Sequence, residues 1–141
     1  MNRSQKREFA FKLLYQIEVQ KEINEEAIEL YLENNQITDE EAKEYISGIA
    51  NGVNENLKTI EEMIEKNIKE EWKLERISKI NLALLKLAIY EIKYSELPYK
   101  VVINEVVELA KKYGEESSQS FVNGVLASVV KENVWDLNQF Q

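Results

Sequence analysis

Only four glycines and one proline punctuate 141 residues. An all-β chain needs frequent tight turns, and those turns draw on glycine and proline. So few breakers confine the chain to long helices with short polar connections. The apolar spacing agrees. Ala10, Leu13, Leu14 and Ile17 stand at i, i+3, i+4 and i+7, the stripe of an amphipathic helix, and predict a first helix from about Arg3 to Lys21. Arg7 and Arg3 continue that stripe backward. Two cations do not belong in a core, so the first two turns are expected to overhang it or stay loose until something binds them.

Asn24-Glu25-Glu26 starts a second helix that buries Ala27, Ile28, Tyr31 and Leu32 and stops at Asn34-Asn35-Gln36. Thr38 and Glu41 have capping-box spacing. A third helix follows, with Ala42, Tyr45, Ile46, Ile49, Val53, Leu57, Ile60 and Ile64 on one side, and is expected to run to about Ile68. Gly48 and Gly52, four apart near that stripe, predict the close approach of another helix. Leu82 to Ile92 is apolar nearly all round, which marks a centrally buried helix. It is too short, and too charged at its ends, to span a bilayer. Leu97-Pro98 ends that segment and Pro98 opens a fifth helix. Its stripe is Ile103, Val106, Val107 and Ala110, and Lys111-Lys112-Tyr113-Gly114 stops it. Ser117-Ser118 caps a sixth, with Phe121, Val122, Val125, Leu126 and Val129 inward. Gly124 within it predicts tight contact with a neighbour. The tail from Trp135 to Gln141 carries two aromatics and no assignable element. The expectation is an all-α bundle of about six to seven helices. It forms one domain over residues 1–141, in two packed helical halves of approximately 1–70 and 71–141.

The chain has neither cysteine nor histidine. Disulfides, thiolate or imidazole metal sites and histidine-activated nucleophiles are therefore excluded. No EF-hand loop is present, and neither cofactor nor metal is expected. Glu61-Glu62, Glu65 and Glu70-Glu71 are numerous but follow the pattern of a solvated helix face, not of a catalytic pair. The basic N-terminus precedes no apolar signal core, and no run of about 18 apolar residues occurs, so a cytoplasmic, membrane-free protein is expected. The net charge is −8. Residues 1–14 carry Arg3, Lys6, Arg7 and Lys12 against Glu8, a local +3 on a body holding the remaining −11. A basic end suits phosphate; an acidic body suits a basic protein.

Four segments then resemble the NusB family in order and spacing: Leu87-Ala88-Ile89-Tyr90-Glu91-Ile92, Leu97 to Glu105, Glu108 to Gly114, and Phe121-Val122-Asn123-Gly124-Val125-Leu126. Glu8 to Tyr15 is similar to the family's first helix, which ends in Leu-Tyr, here Leu14-Tyr15. The resemblance implies an all-helical fold of two packed subdomains. It also implies binding to single-stranded boxA RNA in ribosomal RNA leader transcripts together with NusE, a ribosomal small-subunit protein. The complex would join other Nus factors on RNA polymerase and suppress premature termination.

Arg3, Lys6 and Arg7 match the family's basic N-terminal segment. At i, i+3 and i+4 they converge on one patch, and arginine offers bidentate phosphate geometry and base stacking. Ser4 and Gln5 stand where further cations can occur. Phe121, beside Ser117, Ser118 and Ser120 at a helix N-terminus, can stack a base while free N–H groups face phosphate; equally, it can be core. Lys100 can reach phosphate, and Tyr15 can extend the RNA surface or fill the core edge. Asn123 and Gly124 read as packing residues, and Glu91, Asn104 and Glu105 as structural hydrogen bonders. Glu75 and Asn81 fall where the family docks NusE, with Asn81 replacing the usual acidic residue. Two other readings stay open: an RNA-binding domain that accompanies a ribosomal RNA methyltransferase, and a purely protein-binding helical adaptor.

Overall fold

The computed structural model describes residues 1–69 and 71–132. Glu70 and the tail from Trp135 lie outside them. The described residues form seven α-helices: α1 (Arg3–Gln20), α2 (Glu25–Asn34), α3 (Glu40–Glu55), α4 (Leu57–Lys66), α5 (Lys79–Tyr94), α6 (Tyr99–Tyr113) and α7 (Ser118–Glu132). One 3-10 turn, Leu74–Arg76, precedes α5, and no strand occurs among these residues. The all-α expectation holds.

As its composition requires, α5 is the hub. It packs against α1, α3, α4, α6 and α7. Leu84, Leu85, Leu87 and Ile89 are fully buried, each stabilising the fold by about 1.5–3 kcal/mol. The buried residues of all seven helices join one continuous cluster. Gly52 of α3 faces Tyr90 of α5, and a Cβ there would overlap the phenol ring, so the expected close approach is real at this glycine. It is absent at the other two. Beyond their own helix, Gly48 and Gly124 have no atom within 4 Å of where a Cβ would stand, and Asn123 and Gly124 are both exposed on α7. The packing role expected of them is corrected.

Three local expectations also change. The predicted third helix is two helices broken at Asn56, which leaves helical geometry (φ −111°, ψ 20°). Its Nδ2 donates to the Gly52 carbonyl at 2.8 Å, a side-chain bond that competes with continuation. The Thr38/Glu41 capping box does not form: Asp39 is the N-cap and makes no side-chain cap bond. A capping box forms instead at α1. The Asn2 side chain accepts from the Gln5 N–H and the Gln5 side chain accepts from the Asn2 N–H, both at 2.8 Å.

Candidate nucleic-acid interface

That cap makes the start of α1 a helix from Arg3 onward, not a loose arm. Arg3 is exposed, and its guanidinium carbon lies 5.8 Å from the centre of the Tyr45 ring on α3. Lys6 is half-buried; its ammonium lies 6.0 Å from the same ring and 3.6 Å from Glu41 Oε1. Tyr45 thus gathers two cations about one aromatic ring.

Arg7 behaves differently, and the expectation that it overhangs the core is corrected. It is 1% exposed, as is its partner Glu91 on α5. Arg7 Nε donates to Glu91 Oε1 at 2.6 Å, Nη2 approaches Oε2 at 3.4 Å, and the Tyr45 hydroxyl donates to Oε2 at 2.9 Å. Nη1 lies 3.4 Å from Glu105 of α6, whose carboxylate also takes the Ser4 hydroxyl. Burial alone would lower the Arg7 pKa, but the hydrogen bond and charge of Glu91, with Tyr45 and Glu105 behind it, raise it above its ordinary value. Burial, then the Glu91 charge, pushes the Tyr45 phenol upward. A cation can enter the core here because a carboxylate is waiting for it. The structural role expected of Glu91 and Glu105 is the one observed.

From this anchor a polar strip continues along α1 and α6. Ser4, Glu8, Glu105, Glu108, Lys111 and Lys112 line a shallow groove between them. Glu8 accepts from Lys112 at 2.7 Å and from the Tyr113 hydroxyl. Burial would raise the Glu8 carboxyl, but these two bonds hold it below the ordinary glutamate value. Lys12 and Lys112 both lie within about 5.5 Å of the Tyr113 ring centre. Tyr15 is 38% exposed and lines a separate groove between α1 and α2 with Lys12, Val19 and Leu30, so it is not core.

At the far end of α6, Gly114 lets α7 begin close by, since a Cβ there would press on Ser118 and the Ala110 carbonyl. Ser117 and Ser120 are exposed, and the Ser120 hydroxyl donates to the Ser117 carbonyl at 3.2 Å. Ser118 is buried, accepting from the Glu115 N–H. Phe121 is half-buried, with one face stacked on Trp72, 5.5 Å between centres and 19° between planes. Lys100 is exposed in the first turn of α6, about 18 Å of helix rise from Lys112, and is not brought to the Phe121 end. Glu75 is exposed in the 3-10 turn among exposed Lys73, Arg76 and Lys79. Asn81, in the first turn of α5, holds a buried Oδ1 without a hydrogen-bond partner.

Sequence reasoning counted Lys12 in the basic end but missed Tyr45, Lys112, Tyr113 and Trp72 as parts of this surface. Lys112-Tyr113 reads as a helix stop, and Tyr45 fits the apolar stripe of its own helix. Among the described residues no cluster of acidic side chains could hold a metal ion. Exposed cations interleaved with aromatic rings can engage phosphates and bases.

The NusB family model matches residues 4–131. The chain belongs to the NusB family. It is 46% identical over 134 residues to the transcription antitermination protein NusB of Clostridium acetobutylicum, covering 94% of this chain and 98% of that protein. Its fold matches Thermotoga maritima NusB with a TM-score of 0.86 at 32% identity, over 98% of both chains. It also matches a crystal structure of antitermination factors NusB and NusE in complex with double-stranded RNA, with a TM-score of 0.83 at 27% identity, over 94% of this chain and 100% of that one. No described helix is long and apolar enough to cross a membrane.

Proposed function

We propose that the chain is an RNA-binding antitermination factor of the bacterial cytoplasm. It binds the boxA element of ribosomal RNA leader transcripts together with NusE and helps RNA polymerase, with other Nus factors, resist premature termination. The observation that carries this reading is the capped start of α1, which offers Arg3 and Lys6 over Tyr45 on an otherwise acidic molecule. The polar strip to Lys112 and Ser117, Ser120 and Phe121 extends the RNA path, and Tyr15 and Lys100 flank it. Arg7 supports this surface from beneath by fixing α1 to α5. Glu75 and Asn81 form the NusE side. No step of this role requires catalysis.

The test is binding of a single-stranded boxA RNA to the whole chain, with and without NusE, as salt is varied, with a duplex RNA as competitor. Three or four phosphate contacts give a log–log salt slope of roughly −2 to −3, from about 0.7 per contact on single strands. Partner-enhanced, salt-sensitive binding that falls when Arg3→Ala and Lys6→Ala are combined supports the reading. Absence of RNA binding in both conditions refutes it and leaves a protein-binding helical adaptor.

A further inference from the structure

The aromatic pair at the start of α7 raises a question of access. A base can stack only on an open ring face. Phe121 packs on the core, and its stacked face is taken by Trp72. Trp72 is 46% exposed, the most exposed aromatic ring among the described residues. It projects from the connection between α4 and α5, where the backbone is held by the Trp72 N–H donating to the Lys69 carbonyl at 2.8 Å. Around it lies a shallow groove lined by Lys66, Lys69, Lys73 and Leu74 together with Glu65 and Glu75, three cations against two carboxylates. The three lysines are exposed.

We propose that Trp72 is the base-stacking residue at this end of the RNA surface, with Phe121 as its backing plate. RNA leaving the Ser117–Ser120 turn crosses the outer face of Trp72, and Lys66, Lys69 and Lys73 hold its phosphates. The inference rests on the RNA-binding reading above and adds a subsite to it. The chemistry is that of single-strand binding in general: an indole has the largest π-face of any side chain, it stacks any base, and nearby ammonium groups neutralise the backbone. Phe121 contributes by holding the indole flat, so little freedom is lost when the base arrives.

The test uses tryptophan emission. The chain has two tryptophans, Trp72 and Trp135. In a Trp135→Phe background, single-stranded boxA RNA should quench the emission of Trp72, with the same midpoint as anisotropy of the labelled RNA. Trp72→Ala should lower affinity by roughly 5- to 160-fold, the range for loss of one base–aromatic stack. Its salt slope should be unchanged, because stacking releases no counterions. Lys69→Ala with Lys73→Ala should instead make the slope shallower by up to about 1.4, from 0.7 per phosphate contact. Trp72→Phe, which keeps a ring against Phe121, should retain most of the affinity and guards against loss of the local fold. Binding with no quenching and no effect of Trp72→Ala overturns this inference and leaves RNA binding intact. Tighter binding by Trp72→Ala also overturns it, since Trp72 would then be a cover over Phe121. No RNA binding by the parent protein overturns both.

Discussion

Replacing Arg7 by methionine separates two ways in which a cation near an RNA surface can matter. The substitution keeps a similar apolar stem and deletes the guanidinium. It leaves Glu91, 1% exposed, with only the Tyr45 hydroxyl at 2.9 Å. Removing one partner of a buried ion pair costs about 3–5 kcal/mol, mostly through the stranded charge. The Tyr45 bond offsets part of that, a charge-assisted hydrogen bond being worth about 1.5–3 kcal/mol. A loss of about 2–4 kcal/mol is expected, a large share of the roughly 5–15 kcal/mol that holds a domain folded. Urea unfolding followed by far-ultraviolet circular dichroism measures it. The combined variant Arg7→Met, Glu91→Leu, Tyr45→Phe removes the stranded charge and its last donor, and should recover most of the loss. RNA binding then decides the role. A supporting Arg7 predicts near-normal salt dependence in the recovered variant; an Arg7 that contacts phosphate predicts a shallower slope. A single-variant loss under about 1 kcal/mol, or a combined variant no more stable than Arg7→Met, would refute the account of this buried cluster.

The two kinds of glycine should respond oppositely. Gly52→Ala must displace Tyr90 and should lose about 1–3 kcal/mol in urea titration, whereas Gly124→Ala meets nothing and should gain up to about 1 kcal/mol from helix propensity. Glu8, whose pKa is depressed in the fold, contributes stability that is complete above the ordinary glutamate value of about 4.3 and is lost as pH falls through its lower folded value. Wild type should therefore exceed Glu8→Gln at neutral pH by about 1 kcal/mol or less, and the gap should close below about pH 4, as read by unfolding titrations at each pH.

Helix existence was legible because the stripes were long and breakers few. α5 in particular could be placed at the centre from Leu82–Ile92 alone. What failed were decisions that depend on a partner far away in sequence. Arg7 sits on the inward stripe of α1, and the general rule that cations avoid cores sent it outward. Glu91, 84 residues later, reverses that rule, and no local pattern announces the pairing. The glycines failed in the same way: Gly48, Gly52 and Gly124 share a helical setting, and only the position of Tyr90 distinguishes them. At the candidate site, the basic residues Arg3 and Lys6 were readable from spacing. The rings beneath and beside them were not, since Tyr45 comes from α3, Tyr113 from α6 and Trp72 from a connection. Asn56 shows the converse, a local signal overlooked: an asparagine bonding back to Gly52 ended a helix whose apolar stripe carried straight on.

The two buried bridges between α1 and α5 have opposite polarity. Arg7 of α1 meets Glu91 of α5, and eleven residues on, Glu18 of α1 meets Lys86, which also lies 3.3 Å from Glu61. Along α1 the buried charges read plus then minus, and along α5 they also read plus then minus, so only the antiparallel arrangement joins opposites. Turning α1 end for end would set Arg7 against Lys86 and Glu18 against Glu91. Sliding it by one turn, about 5.4 Å, would part both pairs and strand the Arg7 and Glu91 charges, each 1% exposed, in apolar surroundings. The pairs thus act as a two-pin key. They add little net stability over apolar substitutes, but they make the wrong insertions of α1 prohibitively unfavourable, so that Arg3 and Lys6 always emerge beside the same ring.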